Sequence, residues 1–143
     1  MKRHRALVEL SRDHQHALAI AQGLRRATTH DAPHAAAAFQ AFWNAEGRVH
    51  FRVEGEVLLP VFASRGDARH PAVVQVLVDH VEIRSAARRV TTKAASLVEL
   101  HQLGDRLTAH VRLEERELFP LIEATLTECE LDSLGAELLA AAP

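Results

Sequence analysis

The chain of 143 residues has the length of a single domain, residues 1–143, and a formal net charge of −2 at pH 7. Its 17 basic residues are interspersed with 19 acidic ones, which excludes the continuous positive face that binds nucleic acid. The basic residues 2–5 are followed by only a brief apolar stretch, and Cys129 has no intrachain partner, so we expect a cytoplasmic protein without a signal peptide or membrane span.

The predicted elements are all helical, because Ala, Leu, Val, Glu and Arg are abundant and Tyr is absent. Ser11 is the predicted N-cap of a first helix that ends near Arg26. A second helix is predicted over residues 34–64, followed by a break at residues 65–67. The third helix begins with Pro71 and extends to residue 90. Ser96 caps a fourth helix that extends to residue 126, and residues 131–141 form a short terminal helix.

Two prolines lie within these helices and belong to an internal repeat. Pro60 and Pro120 each lack an amide donor, so each should bend or stop its helix. The surrounding segments, 49–62 and 109–122, are sixty residues apart and identical at five positions. The first and third helices match more weakly, through their Asp-His dipeptides at 13–14 and 79–80. The chain is therefore predicted to contain two helix pairs, each with one His on its first helix and a His-x-x-x-Glu on its second.

Each His-x-x-x-Glu motif places its two side chains on one helix face, one turn apart. Apolar residues with the same periodicity identify this face as the one toward the core. They are Phe39, Trp43, Val57 and Val61 on the second helix, and Leu103, Leu107, Leu118 and Leu121 on the fourth. Distances along the helices bring the two remaining histidines to the same level if neighbouring helices are antiparallel. We therefore predict one buried polar layer of six residues: His14, His50, Glu54, His80, His110 and Glu114.

Six buried polar side chains, two of them carboxylates, are costly unless cations pair with them. Imidazoles with bridging carboxylates suit two iron ions, although zinc or manganese fits the same ligands. Asp13 and Asp79 are either acceptors for a ligand imidazole or solvated helix residues. Glu117, one turn beyond Glu114, is a candidate accessory ligand. Three other residues lie on different faces and are predicted at the surface: His16, Glu82 and His101.

These motifs resemble the hemerythrin-like (HHE cation-binding) family over nearly the whole chain. The resemblance rests on Asp13-His14, His50-x-x-x-Glu54 before Leu58-Leu59-Pro60, Asp79-His80, and His110-x-x-x-Glu114-Glu115 before Leu118-Phe119-Pro120. With the predicted helices it implies an up-down-up-down antiparallel four-helix bundle with a short C-terminal helix. It also implies a non-haem di-iron site bridged by two carboxylates and an oxo or hydroxo group.

One position departs from the family pattern. Oxygen-carrying members are expected to have a second His one turn after the third-helix ligand, where this chain has Arg84. The missing imidazole leaves about one open position on each metal, which favours small-molecule reactivity or looser metal binding over reversible oxygen transport. Arg84 either places a charge beside the site or points away. The fourth-helix carboxylate is Glu114 or Glu115, and the repeat, with Gly55 opposite Glu115, favours Glu114.

The resemblance predicts a protein that binds or senses dioxygen, nitric oxide, peroxide or iron, in oxidative or nitrosative stress. One alternative is a di-iron enzyme that reduces dioxygen or decomposes peroxide, and another is an iron buffer or regulator. A metal-free interaction bundle would instead tolerate His50→Ala or Glu114→Ala in the presence of iron. We favour binding over catalysis and expect a small diatomic or peroxide ligand, with no nucleic-acid or membrane partner. The sequence does not identify a protein partner.

Overall fold

The computed structural model describes residues 2–142. Within this range the secondary structure is helical and includes no strand, so the all-α prediction is confirmed. A 3₁₀ turn, Arg5–Leu7, precedes five helices: α1 (Val8–Arg25), α2 (32–63), α3 (Pro71–Thr91), α4 (97–125) and α5 (Glu128–Ala141). No helix among these residues combines the length and the apolar character needed to cross a membrane.

The helices α2 and α4 change locally from α-helical to π-helical geometry. In α2, π turns at Trp43–Gly47 and Glu54–Leu58 separate the α-helical segments Ala32–Phe42, Arg48–Val53 and Leu59–Ala63. In α4, a π turn at Glu114–Leu118 separates Leu97–Leu113 from Phe119–Thr125. Two of the three π turns therefore begin at the carboxylate of a His-x-x-x-Glu motif, and π turns are frequent at functional sites.

The same two π turns explain how the helices pass their prolines. In a regular α-helix a proline ring clashes with the carbonyl four residues earlier. Here the amide just before each proline bonds five residues back, from Leu59 to the Glu54 carbonyl and from Phe119 to the Glu114 carbonyl. Both helices continue past Pro60 and Pro120. The sequence predicted that each proline would bend or stop its helix. In the structure a wide π turn precedes each proline, and neither helix stops there.

Each π turn also shifts the core-facing side of the helix that follows it. A turn closed by a bond to the fifth residue back holds one residue more than an α-helical turn, so later side chains rotate by about one position. Three residues predicted in the core are consequently only partly buried: Val57, Val61 and Leu121. Their neighbours Leu58, Phe62 and Ile122 are at most 1% exposed and form the core instead.

The beginning of α1 differs from the prediction. The helix begins at Val8, after a 3₁₀ turn in which the Ala6 amide donates to Nδ1 of His4. Ser11 therefore lies inside α1, and its hydroxyl donates to Glu115 on α4 at 2.8 Å. The prediction of Ser11 as an N-cap was wrong because the chain is already helical from residue 5, where the His4 side chain caps the first turn.

The other helix ends follow local capping signals. Ser96 caps α4 as predicted and forms a capping box with Glu99. A second capping box, between Thr127 and Glu130, begins α5 at residue 128 instead of 131. The helix α2 begins at residue 32 instead of 34, with its proline within the first turn.

In each pair of neighbouring helices, residues near the beginning of one helix contact residues near the end of the other. The pairs His16–Glu46 and Asp13–His50 join α1 to α2, and Arg25–Asp105 and Ser11–Glu115 join α1 to α4. The pairs Gln40–Thr91 and Phe51–His80 join α2 to α3, and Arg89–Glu99 and Asp79–His110 join α3 to α4. The polar layer lies between two apolar clusters, one of which includes Phe39 and Leu103 and the other Leu58 and Leu118.

Candidate metal centre

The structure brings all six predicted residues together in two adjoining groups. His14 from α1 and His50 from α2 form what we call the first half-site. His80 from α3 and His110 from α4 form the second half-site. Both groups include the carboxylates of Glu54 and Glu114, and the ligand atoms of each group lie within 4.8 Å of one another. Two cations placed in these groups would share both carboxylates.

Each of these carboxylates contacts one imidazole from each half-site. Glu54 approaches one imidazole on its own helix and one across the bundle, and Glu114 does the same. The shortest Nε2–carboxylate distances are 3.0 Å for His50 and 3.3 Å for His80 with Glu54, and 3.8 Å for His14 with Glu114, which His110 also contacts. Glu54 and Glu114 therefore each lie between the two half-sites.

The inward-facing atoms of the six residues are buried and have no hydrogen-bond partner. They are Nε2 of His14, His50, His80 and His110, and both carboxylate oxygens of Glu54 and Glu114. Leaving a buried polar atom unpaired costs roughly 1–3 kcal/mol, and more when the group is charged. Coordination to two cations would satisfy every one of these atoms. The residues present thus fit a pair of metal ions.

Three of the imidazoles are also held from their outer side by carboxylates. Nδ1 of His50 lies 2.9 Å from Asp13, Nδ1 of His110 lies 3.1 Å from Asp79, and Nδ1 of His14 lies 2.6 Å from Glu115. An Nδ1–H that donates to a carboxylate leaves the Nε2 lone pair free for a metal. Asp13 and Asp79 are therefore acceptors and not merely solvated residues, and each holds the imidazole of a neighbouring helix.

The model of the hemerythrin HHE cation-binding domain matches residues 5–122, which include both half-sites. The chain belongs to the hemerythrin HHE cation-binding domain family. The family description and the buried His and Glu groups agree on metal-cation binding. Neither the search of curated proteins nor the search of solved structures found a match to this HHE domain.

The two buried carboxylates of Glu54 and Glu114 favour positive charge within the polar layer of this HHE domain. Burial opposes protonation of His50, but Glu54 and Asp13 outweigh it and raise the pKa of His50 well above its ordinary value. Burial also opposes protonation of His110, and there Glu114 and Asp79 raise the pKa to about 10. Burial and the neighbouring Glu54 raise the pKa of Glu114. Either protons on these side chains or metal cations between them can supply the positive charge.

The supporting role of Glu115 could not be seen in the sequence, where this residue was only an alternative to Glu114. In the structure Glu114 faces both half-sites and Glu115 lies behind His14. Ser11 donates to Glu115 at 2.8 Å, and Arg3 forms an ion pair with it at 3.2 Å. Burial opposes ionisation of Glu115, but the bonds from His14 and Ser11 hold its pKa at about 2.

Several other predicted roles can now be assigned. Glu117, the candidate accessory ligand, is exposed and belongs to neither half-site. His16 and Glu82 are exposed, as predicted. His101 is partly buried, because Nε2 of its imidazole lies 2.7 Å from the Ala27 carbonyl.

Aromatic rings fix one imidazole in each half-site. Phe119 stacks on His14 with ring centroids 5.3 Å apart, and Phe51 stacks on His80 at 4.0 Å. The guanidinium carbon of Arg84 lies 5.7 Å from the centroid of Phe51, which suits a cation–π contact. Arg84 is exposed and therefore acts from outside the polar layer.

A small cavity of about 20 Å³ adjoins His14, His50 and His110. Apolar residues, among them Trp43 and Leu107, form much of its remaining wall. Its volume is enough for one small molecule, since a water needs about 10–15 Å³ on the same measure. A wider surface groove of about 610 Å³ between α1, α2 and α5 also borders His50. The first half-site thus lies beside both an internal space and a surface groove.

Proposed function

We propose that this HHE domain is a non-haem di-iron protein built on an up-down-up-down four-helix bundle. The opposite chain order of contacts between neighbouring helices supports this topology. The observation that carries the proposal is the set of eight buried, unpaired ligand atoms arranged in two groups around shared carboxylates. Imidazole and carboxylate ligands suit iron, and binding sites of this kind are built between facing helices.

In this proposal the six inward residues hold the two irons and the outer residues orient them. The carboxylates of Glu54 and Glu114 would contribute to both half-sites, and one pair of imidazoles would complete each. Asp13, Asp79 and Glu115 keep the Nδ1 protons on the outer side, so that the Nε2 atoms face the metals. The apolar clusters on both sides of the layer limit the access of water.

We further propose that the protein binds or senses dioxygen, nitric oxide or peroxide in oxidative or nitrosative stress, or senses iron itself. Bound iron would supply open coordination positions for such a ligand. Two observations support a small ligand: the cavity of about 20 Å³ beside three imidazoles, and the exposed Arg84 where a further imidazole would stand. The cavity is too small for a bulky substrate.

The first experiment is anaerobic reconstitution of the metal-free protein with ferrous iron. We expect about two irons per chain, since the residues form two half-sites. Exposure to air or nitric oxide should then change the ultraviolet-visible spectrum, and His50→Ala should lose iron. His30→Ala, at an exposed position, is the matched control and should bind as the unchanged protein does. Failure to bind metal, or binding that is insensitive to His50→Ala, would overturn the proposal.

The same preparation separates the alternative functions. Steady turnover of dioxygen or peroxide with an added reductant would identify an enzyme. A large rise in thermal stability with iron, without any response to dioxygen, nitric oxide or peroxide, would identify an iron buffer or regulator. A spectral response that saturates with added ligand and shows no turnover would support binding or sensing.

A further inference from the structure

The two half-sites receive unequal support from the residues behind them. Both imidazoles of the first half-site have a carboxylate at Nδ1. In the second half-site only His110 has one. Among residues 2–142 no carboxylate accepts a hydrogen bond from Nδ1 of His80. The ring of His80 stacks on Phe51. Among the described residues, His80 is therefore the one imidazole of the four without a carboxylate at Nδ1.

The internal repeat shows where this difference originates. Glu115, which supports His14, directly follows the bridging carboxylate of α4. Sixty residues earlier, the residue that follows the bridging carboxylate of α2 is Gly55. A Cβ atom added at Gly55 would meet nothing within 4 Å, so no neighbouring side chain takes the place of a carboxylate. The acceptor that the repeat would place toward His80 is missing.

The number of outer carboxylates is also larger behind the first half-site than behind the second. Two outer carboxylates, Asp13 and Glu115, stand behind the first half-site, whereas Asp79 alone stands behind the second. A guanidinium lies near the stacked ring beside each half-site, Arg3 at Phe119 and Arg84 at Phe51, so the arginines do not distinguish the two. The difference is in the carboxylates, and a carboxylate that accepts from Nδ1 strengthens an imidazole as a ligand.

We propose that the first half-site binds one cation tightly and that the second half-site binds its cation more weakly and exchanges it. This inference rests on the proposed function, because it assumes that both half-sites bind metal. Loss of an outer hydrogen-bond partner typically lowers metal affinity about ten- to a hundred-fold. The protein therefore fills in two steps and holds a single cation, at His14 and His50, when metal is scarce.

The test is calorimetric titration of the metal-free protein with Co²⁺, followed in parallel by the Co²⁺ absorption bands. The unchanged protein should give two dissociation constants at least about ten-fold apart. His80→Ala should keep the tight step and lose the weak one, and His14→Ala should do the opposite. Glu115→Ala should weaken the tight step about ten- to a hundred-fold, so that the two constants converge. Thermal unfolding of each metal-free variant checks that it is folded.

The possible outcomes separate this inference from the proposed function. Two equal constants, or a tight step that survives in His14→Ala and disappears in His80→Ala, would overturn the inference while leaving metal binding intact. A single bound cation that depends on His14 but not on His80 supports it. If none of the proteins binds Co²⁺ or ferrous iron, the proposed function fails, and the inference fails with it.

A reciprocal variant tests the role given to Gly55. Gly55→Glu restores the residue type that the repeat has at 115 and should tighten the weak step about ten-fold. Gly55→Ala is the control, because it raises helix propensity without adding an acceptor. Equal weak constants for the two variants would show that the missing carboxylate is not the cause of the weakness.

Discussion

The two helix pairs of this HHE domain have the same ligand pattern but differ in the residues around it. Each pair has one His on its first helix, a His-x-x-x-Glu on its second, and a π turn that begins at the Glu. Around these shared features the pairs diverge, since Phe51 corresponds to Val111 and Gly55 to Glu115. The ligands and the residues that support them are therefore separate features of the sequence, and a repeat in one need not extend to the other.

The surroundings of the pairs differ as well. Both α1 and α3 pack against α2 and α4. The helix α3 also leaves an apolar face exposed, formed by Val74, Leu77, Val78 and Val81. The second half-site thus includes His80 of α3, the helix with the exposed apolar face. His80 is also the imidazole without a carboxylate at Nδ1. Three predictions test how far this difference between the pairs extends.

The largest effect is expected at the carboxylates that both pairs share. Glu54→Gln and Glu114→Gln should each abolish tight binding of both cations, because each carboxylate lies in both half-sites and its charge has no substitute. The metal-to-protein ratio after desalting, measured by mass spectrometry, should fall close to zero. Glu117→Gln is the matched control, since Glu117 is exposed and lies one turn beyond Glu114. Full retention of metal by Glu54→Gln would contradict a shared bridging role.

The next effect concerns the core residues at the end of each π turn. Leu58 and Leu118 occupy equivalent positions in the repeat and are both fully buried. Leu58→Ala and Leu118→Ala should each lower the free energy of unfolding of the metal-free protein by about 2–5 kcal/mol. Urea denaturation measures both. Clearly unequal losses would mean that the asymmetry of the pairs extends into the core.

Val57→Ala is the control for the register that the π turn imposes. Val57 is only partly buried, so this substitution should cost well under the loss of Leu58→Ala. A larger cost at Val57 than at Leu58 would show that the π turn does not form in solution.

The smallest effect is expected at the aspartates that hold His50 and His110. Asp13→Asn and Asp79→Asn should each weaken metal binding in their own half-site about ten- to a hundred-fold. The larger loss is expected for Asp79, whose side chain is 9% exposed, because water can partly replace Asp13, which is 42% exposed. Calorimetric titration with Co²⁺ gives both values, with Asp105→Asn as an exposed control. A greater loss for Asp13→Asn would reverse this order.

The sequence alone was enough to predict the all-helical fold, the family and the grouping of the six polar residues. Local spacing determines these features, because residues four apart share a helix face and equal helix lengths bring distant residues to one level. Capping at Ser96 was predicted for the same reason, since a capping box involves only residues three apart.

Packing between helices determines which residues support the imidazoles and which residues fill the core. Asp13 holds His50 and Glu115 holds His14 across helix interfaces, and such pairs depend on the rotation of one helix against another. The π turns decided that Leu58 and not Val57 faces the core, because one extra residue per turn changes every later position. Sequence periodicity describes each helix separately, so it cannot supply these relations between helices.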